Sequence, residues 1–428
     1  MIESRLAEII PDPHPLMILP FVAMLAAIAF APVILRHHWE RHYHEVSVAL
    51  GAIPVVYYLF VLKSPARVGH LLHEYVSFIA LIGSLFVVAG GIQLSVRGGK
   101  PWSNTLFLFA GALAANIVGT TGAAMLLIRP WIRMNRGRFA AFHTVFFIFI
   151  VANAGGCLTP IANPPLFLGF IKGVPFWWIL EHCWPAWAIV NFALLVVFFL
   201  LDRSSFRRSP PAPQEPTPAA LRGWHNLLFF AVIVGSVFIS NPPFLREALM
   251  IAAAVASYWT TSAEAHRAND FTFAPIQEVA WLFAGVFATM LPALDYLHGH
   301  ARQLGIGSPM HFYWFSGGLS ALLDNAPTYL AFLATAFGLR DLGLDNPGDM
   351  AAFLARDPIH LMAISLGAVF FGAMTYIGNG PNLMVKSITE SSCVPTPNFT
   401  AYIWRYSMPI LLPLLALIAL IFFRKGGL

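Results

Sequence analysis

Apolar runs of about 20 residues, each close to the length a helix needs to cross a bilayer, recur from residue 16 to residue 423, and little else in the chain constrains its fold so tightly. They fall at 16–35, 46–62, 74–95, 139–171, 183–201, 225–241, 245–260, 275–297, 358–385 and 405–423. Barrel strands would be shorter and would alternate apolar with polar residues, so an all-α polytopic membrane protein of about ten transmembrane helices is expected. Composition agrees: 58% of residues are hydrophobic and 11% charged, where a soluble domain carries about 25% charged residues. The net charge of +5 comes from basic residues lying between the apolar runs. There they set orientation, so the bilayer and not a nucleic acid is the expected partner. Cys157, Cys183 and Cys393 lack C-x-x-C spacing and suggest neither a disulfide framework nor a zinc site. Residues 1–14 lack the pattern of a signal peptide, so the first run is expected to be a retained span.

Two further segments are apolar yet carry polar residues at their centres. The run 104–128 holds Asn116, Gly119, Thr120, Thr121 and Gly122, and is flanked by Arg97 and Lys100 before it and Arg129, Arg133, Arg136 and Arg138 after it. Positive residues favour the cytoplasmic side, so both flanks belong on one side and the segment is expected to turn back as a re-entrant hairpin. Its tip must then line protein or water, not lipid. The run 308–337 has a similar tip at Asp324, Asn325 and Thr328, followed by a loop rich in aspartate. An Asp at the centre of a membrane helix costs roughly 2.5–3.5 kcal/mol, which points to an ion or proton pathway. The competing interpretation is that Asp324 or Asn325 caps a short helix beginning near Pro327.

The proline-rich stretch within 202–223 divides the chain near its middle, as a cytoplasmic linker between a first repeat, 1–201, and a second, 224–428. Each half reads as three spans, a hairpin (104–128 or 308–337), an interrupted span (139–171 or 358–385) and a last span. His143 falls over His360, and Thr159 and Asn163 lie in the stretch matching Thr375, Asn379 and Asn382. With the N-terminus outside, the hairpins enter from opposite sides, which makes the repeats inverted and puts a transport site between them.

Glycine and proline explain both interruptions: Gly155, Gly156, Pro160, Pro164 and Pro165 in one, Gly372, Gly378, Gly380 and Pro381 in the other. Broken helices expose carbonyls that attract cations and amides that attract anions. The candidate ligands are Asn116, Thr120, Thr121, Thr159, Asn163, Asp324, Asn325, Thr328, Thr375, Asn379 and Asn382, hard oxygens suited to a small cation. His143 and His360 are candidates for proton-linked roles. Other polar residues read as structural: Glu74 and Glu278 as first-turn acids, Asp295, Asp270 and Glu264 as solvated interface groups, and Arg36–His44 as an anchoring loop. Trp177, Trp178, Trp184, Trp187, Tyr402 and Trp404 read as an interfacial aromatic belt.

The stretches Ala115-Asn-Ile-Val-Gly-Thr-Thr121, Gly155-Gly-Cys-Leu-Thr-Pro-Ile-Ala-Asn-Pro-Pro-Leu166, Ala321-Leu-Leu-Asp-Asn-Ala-Pro-Thr328 and Ile377-Gly-Asn-Gly-Pro-Asn-Leu383 resemble the ion-transporter superfamily. That superfamily includes NhaD-type sodium/proton antiporters, arsenite permeases and citrate or dicarboxylate carriers. The resemblance covers nearly all of the chain after the first span. It implies an elevator-type transporter, a homodimer with a scaffold and a moving transport domain, in the bacterial cytoplasmic membrane. The paired Ser-Asn-Thr motifs of dicarboxylate carriers are replaced here by Gly119-Thr-Thr and Asp324-Asn-Ala-Pro-Thr. The expected function is therefore sodium or lithium exchange for protons, with Asp324 as the shared site; the alternative is cation- or proton-coupled transport of citrate or another organic anion. No catalytic constellation or cofactor is expected beyond the transported Na+ or H+.

Overall fold

The computed structural model describes residues 12–96, 98–208, 220–239, 241–269 and 271–424. The expectations that rest on Arg97, Asp270, residues 1–11 and the centre of the linker, 209–219, lie outside them. Helices dominate because a chain this apolar can satisfy its backbone in lipid only within a helix or a closed barrel. In order, the first half forms α1 (Leu19–Ile34), α2 (Arg36–Val56, continued by a π-helical turn at Tyr57–Val61), α3 (Pro65–Gly90), α4 (Pro101–Met134), α5 (Ala141–Ile150), α6 (Pro164–Ile171) and α7 (Trp178–Arg208). The second half forms α8 (Asn226–Ser236), α9 (Leu245–Thr260), α10 (Ala263–Ala268), α11 (Ala274–Gly299), α12 (Pro309–Leu322), α13 (Asn325–Gly338), α14 (Pro347–Arg356), α15 (Pro358–Phe371) and α16 (Gly380–Ser391). It closes with α17 (Phe399–Tyr402) and α18 (Leu412–Phe422), joined by a π-helical stretch, Ile403–Leu411. The fold is all-α as expected, apart from a short ribbon in which β1 (Gln93–Ser95) pairs antiparallel with β2 (Ala220–Arg222).

Although α4 is continuous by its hydrogen bonds, it is a hairpin in space. Gly119 adopts φ 78° and ψ 155°, and there the helix reverses. Asn104 donates to Asn135 over 2.7 Å, and Phe107 stacks on Trp131 with ring centres 5.5 Å apart. A straight helix would hold Asn104 and Asn135 about 46 Å apart at 1.5 Å per residue. The hairpin is longer than expected at both ends, but its tip falls within the predicted Asn116–Gly122. The second hairpin turns between α12 and α13 at Leu323 and Asp324, and Phe312 meets Phe332 edge-on.

Hydrogen bonds gather the loops into two opposite ends. At one, which includes the ribbon, Asn226 donates to Gly91 and Asn269 to Gly90 and Ile92. The base of α4 lies here, where Arg138 bonds Gly99, Asn135 and Asp202. At the other end, His298 meets the Leu342 carbonyl, His360 meets that of Gly307, and Arg340 grips Asp357 with two hydrogen bonds of 2.7 and 2.6 Å. The base of α12–α13 lies here. The two hairpins thus enter from opposite ends.

Laterally, α1, α2, α3, α8, α9 and α11 pack as one group, and the hairpins, broken helices, α7 and the final helix as a second; α3 and α11 form the seam. Seven described helices are individually long and apolar enough to cross a membrane, or eight with the pair around Asp357, which is bent by 95°. That bend sets α14 across α15, so the loop expected after the second hairpin is partly helical.

Several boundaries differ from expectation. Leu35 alone separates α1 from α2, so Arg36–His44 begins a helix and is not a loop. Because α3 starts at Pro65, Glu74 lies well past the first turn and cannot serve as a dipole-capping acid. The helix tolerates Arg67 and Glu74 because both are paired. The linker is shorter than expected, since α7 runs on to Arg208.

Candidate functional site

Both breaks lie where the hairpin tips arrive. In the first, the helix stops at Ile150, passes through short 3-10 turns at Ala154–Gly156 and Pro160–Ala162, and resumes as α6. Asn116 organises it: its side-chain amide donates to Gly155 at 2.7 Å, its Oδ1 accepts from the Leu158 amide at 2.8 Å, and its carbonyl accepts the Thr159 hydroxyl at 2.6 Å. The second break follows the same plan. The Thr375 hydroxyl donates to Ala321 on the other hairpin at 2.7 Å and accepts from the Ile377 and Gly378 amides. One threonine per break therefore ties it to its own hairpin.

The two breaks also touch each other, through a residue not singled out in the sequence. The Asn153 side chain donates to Asn382 Oδ1 at 2.7 Å and accepts from Asn379 at 3.0 Å. Asn379 also reaches the Ala152 carbonyl, and Asn382 closes its own break by donating to Gly372 and Thr375. Asn325, at the second tip, donates to Asn163 Oδ1 at 3.1 Å.

Sequence pattern placed Trp187 and Tyr402 in an aromatic belt, and the structure corrects both. The Trp187 indole donates to Gly155 at 2.7 Å, and the Tyr402 hydroxyl to Ala373 at 2.8 Å. Each final span thus sends one aromatic donor into its break, and Asn191 adds a bond to Ala154. Trp178 is buried as well, whereas Trp177, Trp184 and Trp404 are exposed as a belt requires. The helical period alone does not separate an inward indole from an interfacial one.

Hydrogen bonding separates two sets among the predicted ligands, Thr121, Asp324 and Thr328 belonging to neither. Asn116, Thr159, Thr375, Asn379 and Asn382 spend their polar groups holding elements together. Thr120 Oγ1, Asn163 Nδ2 and Asn325 Oδ1 are buried without a partner among the described residues. Such atoms are rare in folded proteins and call for an explanation, such as a ligand. Thr120 and Asn163, with Gly119 and Thr121, line a cleft closed by Leu81 and Leu85 of α3, at the seam between the two helix groups.

Asp324 lies at the second tip and caps α13: its Oδ1 accepts from the Ala326 amide at 3.0 Å, and the Thr328 hydroxyl donates back to its carbonyl. Capping, the competing interpretation of this acid, is thus part of its role. No cationic side chain pairs with it among the described residues. His143 and His360 do not reach the tips. His143 is buried at the ribbon end against Asp202 at 3.1 Å, and His360 sits near Asp357 at the start of α15, less deep than expected. Arg138, Asp202 and His143 thus secure the base of one hairpin, and Arg340, Asp357 and His360 that of the other.

The fold and this junction define an all-α, multi-pass membrane transporter. The chain belongs to the family described as "Putative citrate transport", whose model matches residues 14–423. No curated protein matches it.

Proposed function

We propose that the protein carries a small polycarboxylate of the citrate class across the bacterial cytoplasmic membrane, coupled to Na+ or H+. The observation that carries this reading is the unspent hydrogen-bonding capacity at Asn163 and Asn325. One amide pair, buried at the junction, leaves one amide nitrogen and one amide oxygen without a partner among the described residues. If the two amides were turned over together, one of each would still remain.

The backbone supports the same pairing of charges. The second half of α4 begins at the junction with the amides of Thr120, Thr121 and Gly122, an N-terminus that suits a carboxylate; α6, α13 and α16 also begin there, but Pro164, Pro165, Pro327 and Pro381 leave them few free N–H groups. The first half of α4, with α5, α12 and α15, ends there, and carbonyl-rich C-termini suit a cation. An anion would be repelled by Asp324 until a cation or proton neutralised that side chain, so anion and coupling ion bind together. The opposite entry of the hairpins supports inverted repeats with ten crossings. The division into two helix groups supports an elevator, in which the group bearing the tips moves against α3 and α11. Counterflow of labelled citrate in proteoliposomes tests the reading. Exchange that depends on internal unlabelled citrate is expected, and its absence, with folded protein in the vesicles, would end it.

One observation favours a second reading, sodium or lithium exchange for protons: Asp324 has no cationic partner among the described residues. A cation and a proton would compete for it directly. Cation-induced dequenching in inverted vesicles distinguishes the two, since exchange without citrate belongs to the second reading alone.

A further inference from the structure

At the end opposite the ribbon, five charged side chains cross the seam between the two helix groups. Arg67 and Glu74 on α3 and Asp295 on α11 belong to one group; Lys172, just after α6, and Asp345, in the loop after α13, belong to the other. Asp295 was expected to be solvated near an interface, but it is buried, and Arg67 and the Tyr58 hydroxyl both bond it. Lys172 Nζ reaches Glu74 and Asp345 at 2.5 Å each, and Arg67 pairs with Asp345 as well as Asp295. Apart from Asp345, whose side chain is 29% exposed, these side chains are 12% exposed or less. Charges so poorly hydrated interact strongly and cannot be left unpaired cheaply.

The arrangement of partners sets this cluster apart from a simple structural ion pair. When the groups separate, Arg67 keeps Asp295 and Lys172 keeps Asp345, so each group retains one complete pair. Only Glu74–Lys172 and Arg67–Asp345 are lost. A cluster that divides with both cations still paired is suited to repeated opening. It is also linked to the candidate site, because Lys172 follows the eight-residue helix α6, about 12 Å long, which begins beside Asn163. The cleft it lines, with His70 and His298, gives water a route to the parted charges.

We propose that Glu74–Lys172 and Arg67–Asp345 form an electrostatic latch that holds the two helix groups together at this end and opens when the site changes sides. The proposal rests on the elevator reading but not on the identity of the substrate. Glu74→Gln is the informative variant, because Glu74 bonds across the seam and keeps no partner within its own group among the described residues. Full-length protein in nanodiscs, spin-labelled at the exposed Cys393 and at Glu264→Cys on α10, reports the distance between the groups with no substrate present. Cys157 and Cys183 are buried, so labelling is confined to the two chosen sites. With the latch weakened, the population at the second distance is expected to rise at least about tenfold, from the cost of breaking a buried pair. A double-mutant cycle tests the same idea independently: if Glu74 and Lys172 act as a pair, Lys172→Met added to Glu74→Gln should shift the distribution by less than the sum of the two single changes. An unchanged distribution in Glu74→Gln, or strictly additive shifts in the cycle, overturns the latch. Absent citrate flux, with these distance changes intact, would count against the substrate class alone.

Discussion

Asn163, at the start of α6, accepts a hydrogen bond from Asn325, at the start of α13, and the contact joins the first broken helix to the second hairpin across 162 residues of chain. Both side chains are buried, and each keeps one polar atom unspent. Apart from Thr120, whose hydroxyl is also unpartnered among the described residues, the asparagines and threonines that close the breaks are consumed as fasteners, which makes this amide pair the place on which substrate chemistry most directly depends.

Alanine at Asn163 or Asn325 should therefore weaken substrate binding more than it weakens the fold. One lost hydrogen bond to a charged ligand is worth about 1.5–3 kcal/mol, so the KM for the transported anion should rise roughly tenfold or more. Each alanine strands its partner in the same way. Alanine at the fully engaged Asn382 should instead lower thermal stability. Uptake kinetics beside melting curves in detergent would separate the two effects, and equal losses at all three positions would contradict the division.

Asp324→Asn isolates charge from geometry, because asparagine is an equally good helix cap. The variant should fold and melt like the wild type. If Asp324 neutralisation couples the ion to the anion, counterflow should persist while its dependence on Na+ or pH disappears. Under sodium/proton exchange the variant should show no cation-induced dequenching. Retained cation dependence would remove Asp324 from the coupling site.

The hairpin in α4 depends on one backbone conformation. At φ 78° and ψ 155°, Gly119 occupies a region reached essentially by glycine alone. A Cβ there would also meet the Ile161 carbonyl oxygen at 3.3 Å. Gly119→Ala should cost about 1–3 kcal/mol, read as a lower melting temperature. Gly137→Ala, whose Cβ would have no neighbour within 4 Å, isolates backbone strain from crowding, since Gly137 also has positive φ (86°).

Much of this architecture was legible because lipid imposes simple rules. The tip at Asn116–Gly122, the turn at Asp324 and both glycine-proline breaks appear in the sequence as polar or helix-breaking residues where an apolar run should continue. What stayed hidden depends on distant partners. Arg67 and Glu74 look too polar for a membrane helix, and α3 seemed to begin later, until Asp295, Asp345 and Lys172 are seen beside them. Asn153 lies two residues before the glycines of the break and has no counterpart to mark it, yet it joins the two breaks.

The Arg67–Asp345 arm of the latch should be insensitive to moderate acid. Burial pushes the Asp345 carboxyl up, but the Lys172 ammonium and the Arg67 guanidinium outweigh it and hold it at about 2, below the ordinary 3.8. A depressed carboxylate contributes its stabilisation above the ordinary value and loses it only as pH falls through the folded one. The Arg67–Asp345 contact should thus persist from pH 8 to pH 5, read as a distance between the two helix groups that does not change over this range in Glu74→Gln, where it is the remaining arm of the latch. The groups facing Asp345 in the cleft are Arg67, His70, Glu74, Lys172, Asp295 and His298. A change over this range that vanished with His70→Gln or His298→Gln would transfer control of the contact from the carboxylate to that histidine.

The two hairpin bases share a composition but not an environment. Arg138, Asp202 and His143 are 1% exposed or less, whereas in the second set Arg340 is 33% exposed and Asp357 9%. Removing one partner of a fully buried pair leaves an uncompensated charge and costs about 3–5 kcal/mol. A pair open to water on one side relaxes by hydration and loses roughly 1 kcal/mol. Asp202→Asn should therefore lower the melting temperature far more than Asp357→Asn, although each acid stands between an arginine and a histidine. The consequence extends to motion: a rigid first hairpin and a more easily loosened second make α12–α13 the element whose amides exchange hydrogen faster. Mass-spectrometric exchange on the folded protein should show earlier deuteration of peptides from 309–338 than of peptides from 101–134, and the reverse order would place the mobile gate at the first hairpin.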